Sequence, residues 1–249
     1  MTFEDYFARF KDLDLIFSLS IKEKIAAMNL AVEELTHSNY PRNPLPFLPL
    51  SEDEVLDLIT LNLKSPDLEE KISALDHLLM DFRNVVRENL GLYCILNDHL
   101  IDDLVSYLNS PVLEIAAGNG FLSSQLSKKG LDITAVDNGE YKTETLNESN
   151  FFPIKQVDAI DYLSKNLEKY STIVLAWSPD NSDLDLKVLN LIRQNKRKIS
   201  FIVIGEHNGK TNSTKFWSEV RFINLKKMLR LNKEFPDFDL YHDRIYMVE

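Results

Sequence analysis

The segment VLEIAAGNGFLSSQLSKKGLDITAVDN, residues 112–138, decides the fold of this chain. It begins with a short apolar run and continues into a turn in which Gly118 and Gly120 stand two residues apart. The whole chain of 249 residues has only seven glycines. Because glycine is used where a backbone turns sharply or a ligand approaches closely, this pair predicts a binding site. The apolar run predicts a buried strand, FLSSQLSKKG a helix and DITAVDN a second strand.

The alternation of short apolar strands with amphipathic helices continues through residues 91–249. Three further strands are predicted at PIKQVDA, STIVLAW and ISFIVIGE, with amphipathic helices between them. This order implies right-handed crossovers and a parallel sheet covered by helices. KKMLRLNKEF and LYHDRIYMVE have no helix between them and predict a closing antiparallel pair of strands. The predicted fold class is α/β and Rossmann-like, in a domain spanning residues 91–249.

Residues 1–90 have a different pattern and are predicted to form an all-helical N-terminal region. Apolar residues recur there at three- and four-residue spacing. Ser51 and Glu54 have the spacing of a capping box, and a long helix is predicted from Pro66 to a stop at Gly91. The proline-rich segment YPRNPLPFLPL predicts an extended connector that packs Leu45, Phe47 and Leu48 onto an apolar surface. We interpret the region either as a lid that selects substrate or as an appendage for packing or dimerisation.

Composition and charge narrow the classes of function. A net charge of −11 argues against broad electrostatic binding to nucleic acid or to an anionic membrane. The single cysteine, Cys94, excludes an internal disulfide framework, and no pair of histidines has metal-ligand spacing, so no metal site is predicted. No apolar run has the length of a membrane span, and the acidic start MTFEDYF differs from a secretory signal. A cytoplasmic protein is the simplest expectation.

Asp137 ends the second predicted strand, seventeen residues after Gly120. A carboxylate at this edge of a Rossmann-like sheet can accept hydrogen bonds from a ribose diol, in a nicotinamide dinucleotide or in an adenosine-bearing methyl donor. The dinucleotide fingerprint GxGxxG requires a third glycine, where this chain has Ser123. Glu114, inside the first strand, is costly in a dinucleotide-binding core unless it faces a cationic ligand or anchors loop amides. Both details favour the methyl donor.

VLEIAAGNG resembles motif I of the class I S-adenosylmethionine (SAM)-dependent methyltransferases, and the resemblance covers residues 90–249. VDAIDYL resembles the third-strand motif of this superfamily, in which Asp158 would meet the adenine amino group and Ala159 would offer its backbone. The resemblance implies SAM as the cofactor and a seven-stranded, mostly parallel sheet with a C-terminal antiparallel pair. The cofactor-binding residues that it implies are Glu114, Ala116, Gly118, Asn119, Gly120, Asp137, Asn138, Asp158, Ala159 and Trp177.

The acceptor side of the site is implied by the ends of the fourth and fifth predicted strands, where Trp177, Glu206 and His207 are the candidate catalytic residues. Trp177 is equally consistent with facing the substrate and with packing at the end of a strand. His207 is consistent with a general base and with a loop histidine that is hydrogen-bonded to the backbone. Asp180 is expected to cap the following helix. LYCIL, LAWSP and IGEHNGKTNSTKFW are similar to a poorly characterised methyltransferase-like group, from which this chain departs at WSP and NGKTN.

Three hypotheses of function follow. The favoured one is a SAM-dependent methyltransferase that acts on a small molecule or a protein side chain. The second is a binding module that keeps the fold but has lost catalysis. The third is a nicotinamide-dependent oxidoreductase, disfavoured by Ser123 and Glu114. Because the Asn/Asp-Pro-Pro-Tyr signature is absent, methylation of a nucleobase is also disfavoured. The sequence leaves the acceptor and the oligomeric state open.

Overall fold

The computed structural model describes residues 1–143, 145–146 and 149–249. Helices and strands alternate after residue 111, as the sequence predicts. The described α-helices are α1 (Phe3–Asp12), α2 (Leu19–Thr36), α3 (Glu52–Leu61), α4 (Leu68–Met80), α5 (Phe82–Leu90), α6 (Asp98–Val105), α7 (Phe121–Lys128), α8 (Ala159–Asn166), α9 (Leu184–Gln194), α10 (Thr214–Glu219) and α11 (Leu225–Leu231). The described strands are β1 (Val112–Ile115), β2 (Ile133–Asp137), β3 (Ile154–Gln156), β4 (Thr172–Ala176), β5 (Ser200–Glu206) and β6 (Asp243–Val248).

The strands form a sheet in the order β3-β2-β1-β4-β5-β6. All neighbouring pairs are parallel except β5 and β6, which are antiparallel. The chain moves outward from β1 to β3 on one side and then returns to place β4 on the other side of β1. The strand order therefore reverses between β1 and β4, which is where sheets of this kind bind ligands at their carboxyl edge. The fold is α/β and Rossmann-like.

The prediction of a strand at KKMLRLNKEF is wrong, because Leu225–Leu231 forms the helix α11. Its apolar residues alternate over a short stretch, which imitates a strand, but Met228 and Leu231 are the buried ones and Leu229 is exposed. A spacing of three residues places both buried side chains on one face of a helix. The described residues consequently form six strands rather than seven, and the terminal antiparallel pair is β5 with β6.

Local sequence sets several helix ends. The side chain of Ser51 accepts from the Glu54 amide, and the Glu54 carboxylate accepts from the Ser51 amide, which confirms the predicted capping box. Gly91 ends α5 with φ of 68°, a left-handed conformation that suits glycine. The single long helix predicted between Pro66 and Gly91 is instead two helices, α4 and α5, which meet at the turn residue Asp81.

Alternate residues of each central strand face opposite sides of the sheet. Leu113, Ile173 and Val203 pack on one side, in a core completed by α8, α9 and α10. Val112 and Ile202 pack on the other side, in a core that continues into the helices of residues 1–90. The N-terminal helices therefore share a core with the sheet, and the division at residue 90 stays a prediction. No described helix has the length and apolarity needed to cross a membrane.

The proline-rich connector, residues 40–50, joins α2 to α3. Leu45 and Leu48 are buried, as expected of a segment that presses apolar side chains onto the core. Phe47 is about half exposed, at 49%, so its predicted burial is wrong. The Leu48 amide donates to the carbonyl of Phe238, which ties the connector to the segment before β6. This contact brings the N-terminal region and the C-terminal loop together beside the sheet edge.

Candidate functional site

A cavity of about 670 Å³ lies at the carboxyl ends of the central strands. Its walls come from the turn after β1, from the ends of β2, β4 and β5, from α5, and from the loop before β6. The cavity brings together most of the residues that the sequence predicts for a site. These are Glu114, Ala116, Gly118, Asn119, Asp137, Asn138, Asp158, Ala159, Trp177 and Glu206. Gly120 and His207 are outside its lining.

The two glycines of the turn after β1 have different structural roles. Gly118 has φ of 56°, and a Cβ atom built on it would find only the Tyr141 ring, at 4.0 Å. Its backbone therefore forms an open part of the cavity floor. Gly120 has φ of 77°, and its Cβ would lie 2.7 Å from Ile154 Cδ1 and 2.8 Å from Phe152 Cβ. Gly120 is required by packing, and Gly118 leaves room for a ligand.

Asp137 lies at the end of β2 and shapes the cavity floor. Its Oδ2 accepts from the Gly118 amide at 2.8 Å, and its Oδ1 accepts from the Gly139 amide at 2.6 Å. Burial raises the pKa of this carboxyl group, and the two amide donors oppose that shift. A carboxylate has about four lone-pair sites, so each oxygen keeps capacity for one further donor. Asp137 can therefore hold the turn and accept a ligand hydroxyl at the same time.

Glu114 is buried in β1, with 3% of its surface exposed, and its carboxylate accepts from the hydroxyl of Ser123. Ser123 is fully buried on α7 and occupies the position of the third glycine in the dinucleotide fingerprint. Burial raises the pKa of Glu114 to about 7, the Ser123 hydroxyl opposes the shift, and the charge of Asp137 adds to it. Glu114 thus ties β1 to α7, a partner that the sequence analysis did not foresee.

Three further predicted residues use their side chains to hold the strand-end loops. Asn119 donates from Nδ2 to the Leu90 carbonyl at 2.6 Å and accepts from the Phe121 amide at 3.2 Å. Asp158 accepts from the Asp161 amide at 2.9 Å and so caps α8. Asn138 accepts from the next-but-one amide at 3.0 Å. These bonds keep the edge of the cavity in one conformation.

Strained backbone marks the two strand ends on either side of the topological switch. Ala116 follows β1 and Trp177 follows β4, and both have φ of 51°. A positive φ in a non-glycine residue is uncommon and costs on the order of 1–3 kcal/mol. Both residues line the cavity. The Trp177 Nε1 atom is buried and has no hydrogen-bond partner in the described residues. Strain of this kind clusters at functional sites, which supports the location of the site here.

Glu206 and His207, two of the acceptor-side candidates, differ in their position relative to the cavity and in their contacts. Glu206 lines the cavity, but its two carboxylate oxygens accept from the Lys210 amide at 3.0 Å and the His242 amide at 3.1 Å. The ring of His207 packs edge-on against Trp217 at 4.9 Å, in an aromatic cluster outside the cavity. The structure therefore does not bring His207 to the site as a base.

The predicted cap of α9 is also wrong. The residue before this helix is Asp183, and the Leu184 amide donates to the Ser182 hydroxyl oxygen at 3.2 Å. Asp180 is exposed and lines the cavity. Asp180 is therefore available on the acceptor side. Within the residues that the structure describes, no group of three or more side chains is arranged to hold a metal ion.

One wall of the cavity contains an ion-pair cluster of Arg83, Asp239 and Asp243 that the sequence did not predict. Arg83 on α5 donates from Nε and Nη2 to Asp239, at 2.5 and 3.0 Å, and from Nη1 to Asp243 at 2.7 Å. Cys94 lies beside this cluster, and burial raises the pKa of its thiol. The two aspartates stand 156 and 160 residues after Arg83, so no local pattern could pair them. Through Arg83 the N-terminal helices and the C-terminal loop form one wall of the cavity.

Comparisons with known proteins give structural similarity only. No protein-family model matches the chain, and no curated protein matches its sequence. Among solved structures, it is similar to magnesium protoporphyrin IX methyltransferase from Synechocystis PCC 6803 with bound SAM. The identity is 17%, the TM-score is 0.37, and the match covers 61% of this chain and 78% of the other. A SAM-dependent methyltransferase from Archaeoglobus fulgidus matches at 15% identity and a TM-score of 0.38, over 61% of this chain and 90% of the other.

A third similar structure is a SAM-dependent methyltransferase from Bacteroides fragilis in complex with S-adenosyl-L-homocysteine. It matches at 10% identity and a TM-score of 0.33, over 60% of this chain and 76% of the other. Similarity at this level assigns no function to the chain, and the function proposed below depends on the geometry of its own residues.

Proposed function

We propose that this protein binds SAM in the cavity and is a SAM-dependent methyltransferase. The observation that carries the proposal is the floor of the cavity. Gly118 leaves open space above its backbone, Asp137 supports it from the end of β2, and Asp158 lies at the adjoining end of β3. An open glycine turn with carboxylates on successive strand ends suits an adenosine ligand that carries a ribose diol.

The residues present fit this cofactor. Asp137 keeps lone pairs for the ribose hydroxyls, and Asp158 and Ala159 line the part of the cavity where the family resemblance implies the adenine. When bound, SAM supplies the methyl group together with the sulfonium charge that makes it reactive. The chain's own contribution is to orient the acceptor and to exclude water, with Trp177 as a wall beside the acceptor.

The acceptor is proposed to be a small molecule or a protein side chain. Glu206 is already bonded to two backbone amides, and the His207 ring lies outside the cavity. Neither of these two side chains therefore supplies a free general base. An acceptor whose nucleophilic atom does not have to lose a proton during the transfer needs no such base. The net charge of −11 argues against nucleic acid as a bulk partner.

The engagement of Glu206 and the position of His207 also favour the second hypothesis, a binding module without catalysis. Such a protein would bind SAM and its demethylated product through the same floor, but it would transfer no methyl group. The oxidoreductase hypothesis has less support. The third-glycine position holds a buried serine bonded to Glu114, and this differs from the glycine that packs over a pyrophosphate.

The test is titration calorimetry of the protein with SAM, S-adenosylhomocysteine and NAD, on the native chain and on two glycine variants. Gly118→Ala places a methyl group in the open floor, whereas Gly130→Ala is a matched control outside the cavity. Gly130 also has positive φ, of 91°, and nothing lies within 4 Å of its Cβ position. Both variants bear the same kind of backbone cost, so only a ligand on the floor distinguishes them.

We expect SAM and S-adenosylhomocysteine to bind the native protein and Gly130→Ala with equal affinity, and Gly118→Ala to bind at least ~10-fold more weakly. Failure of the native protein to bind either compound would remove the proposal, and binding of NAD instead would promote the oxidoreductase. Methyl transfer to a candidate acceptor then separates the enzyme from the binding module.

A further inference from the structure

Two arginines on the same face of α5 differ in the hydrogen-bond partners of their guanidinium groups. Arg83 and Arg87 are four residues apart, so their side chains lie one above the other along the helix. Both line the cavity. The Arg83 guanidinium donates to Asp239, to Asp243 and to the Tyr93 carbonyl, the last at 2.8 Å. Arg83 is therefore fully engaged in holding the cavity wall.

Arg87 has no comparable set of partners. Among the described residues its buried Nε atom has no hydrogen-bond partner, and none of the ion pairs includes its guanidinium. A buried donor without a partner costs about 1–3 kcal/mol, and such groups are rare in native proteins. A guanidinium has five N–H donors and is always charged at neutral pH. Arg87 as a whole is half-buried, and its buried Nε donor in the cavity wall therefore requires an explanation.

The position of Arg87 relates it to the glycine turn. The Arg87 carbonyl accepts from the Gly91 amide at 2.7 Å, so this residue lies in the last turn of α5. The carbonyl of Leu90 accepts from Asn119, the residue between the two glycines. The end of α5 thus abuts the turn after β1, and Arg87 belongs to the part of the wall beside that turn.

The buried carboxylates that line the cavity are engaged elsewhere. Glu114 accepts from Ser123, Asp137 accepts from two backbone amides, and Asp243 accepts from Arg83. None of these buried carboxylates forms an ion pair with Arg87. Arginine suits carboxylates because its planar fork can form two parallel N–H···O bonds with them.

We propose that Arg87 binds the carboxylate of a ligand in this cavity. The inference rests on the proposed function, which supplies two sources of that group. One is the amino-acid end of SAM, and the other is a carboxylate on the acceptor. In either case the N-terminal helices contribute a residue to ligand recognition, which is more than packing against the sheet.

The experiment compares Arg87→Met with the native protein by titration calorimetry. Methionine keeps the unbranched apolar stem and removes the charge, and Arg9→Met makes the same change on the exposed face of α1 as a control. The ligands are S-adenosylhomocysteine, which has a carboxylate, and 5′-methylthioadenosine, which shares the adenosine and thioether but lacks it. Circular dichroism and the Tm report whether each variant is folded.

We expect Arg87→Met to bind S-adenosylhomocysteine at least ~10-fold more weakly than the native protein does. Its affinity for 5′-methylthioadenosine should stay within about twofold of the native value, and Arg9→Met should change neither affinity. This result assigns the donor carboxylate to Arg87. If both nucleosides bind Arg87→Met normally, benzoate binding to the protein saturated with S-adenosylhomocysteine is measured by ligand-observed NMR. Loss of benzoate binding in Arg87→Met alone assigns the acceptor carboxylate.

Two results would overturn the inference. One is an equal weakening of S-adenosylhomocysteine and 5′-methylthioadenosine, because that would reflect general damage to the cavity. The other is unchanged binding of both nucleosides together with no effect of Arg87→Met on benzoate. Failure of the native protein to bind either nucleoside is a different outcome. It removes the proposed function, and benzoate binding to the native protein and to Arg87→Met, both without nucleoside, then tests Arg87 alone.

Discussion

Replacing Glu114 with glutamine should change how the stability of the protein depends on pH. Glu114 is buried between β1 and α7, with the hydroxyl of Ser123 as its hydrogen-bond donor. Burial raises its pKa from an ordinary value of 4.5 to about 7 in the folded protein. In Glu114→Gln the side chain keeps its size and an oxygen that can accept from Ser123, but it cannot ionise.

The sign follows from proton binding. Between pH 4.5 and 7 the folded protein keeps a proton on Glu114 that the unfolded chain has released. Raising the pH through this window therefore favours the unfolded chain, and the free energy of unfolding falls. The difference of about 2.5 pKa units, 7 minus 4.5, corresponds to about 3 kcal/mol at 1.36 kcal/mol per unit. Glu114→Gln cannot ionise and lacks this loss. The free energy of unfolding of the variant, relative to that of the native protein, should therefore rise by about 3 kcal/mol between pH 4.5 and pH 8.

Urea denaturation at pH 5, 6, 7 and 8 measures this change as a difference between the two proteins at each pH. Glu23→Gln, on the exposed surface of α2, makes the same substitution without burial and serves as the control. The native protein and Glu23→Gln should show parallel profiles, and the Glu114→Gln profile should diverge as the pH rises. A difference between Glu114→Gln and the native protein that stays constant from pH 5 to pH 8 would refute the reasoning, because Glu114 would then not titrate in this window.

Four further predictions concern the packing around the site and are checked by urea denaturation at pH 7. Ser123→Ala should cost about 1.5–3 kcal/mol because it removes the donor to a buried carboxyl group. Ser178→Ala should lie within ~0.5 kcal/mol of the native protein, since that buried hydroxyl has no partner in the described residues. Arg83→Met should cost on the order of 3–5 kcal/mol because two buried aspartates lose their cation. Gly120→Ala should cost more than the roughly 1 kcal/mol expected of Gly118→Ala, because only its Cβ would overlap neighbouring atoms. Three results would contradict these expectations. They are equal losses of stability in the two serine variants, equal losses in the two glycine variants, and an Arg83→Met variant as stable as the native protein.

The fold could be predicted from the sequence where the signal was local. Apolar runs of strand length, the turn at Gly118 and Gly120, and the capping box at Ser51 each lie within a few residues of one another. The tail was predicted incorrectly for the same reason. Leu229-Arg230-Leu231 alternates like a strand, and only the packing of Met228 and Leu231 against the core decides in favour of a helix. Short apolar patterns leave this choice to tertiary contacts.

The position of the cavity that forms the candidate site could also be predicted, because the carboxyl ends of parallel strands meet at one edge of the sheet. The partners of its side chains could not. Ser123 appeared in the sequence only as a missing glycine, yet its hydroxyl holds Glu114. Arg83 finds its aspartates across more than 150 residues of chain. His207 follows β5 directly, but its ring packs into an aromatic cluster outside the cavity.

The carboxylates at the strand ends bear on how the site is preorganised. Asp137 and Glu206 each accept from two backbone amides, and Asp158 caps a helix, so all three fix loops at the cavity edge. A loop fixed in this way keeps Gly118 open without a ligand, which lowers the entropy that binding must overcome. Arg87 is the exception, because it lines the same cavity and its buried Nε atom has no hydrogen-bond partner among the described residues. The hydrogen bonds separate the three carboxylates, which hold the fold, from Arg87, which we propose binds a ligand. Neither residue type nor position in the sequence reveals this difference.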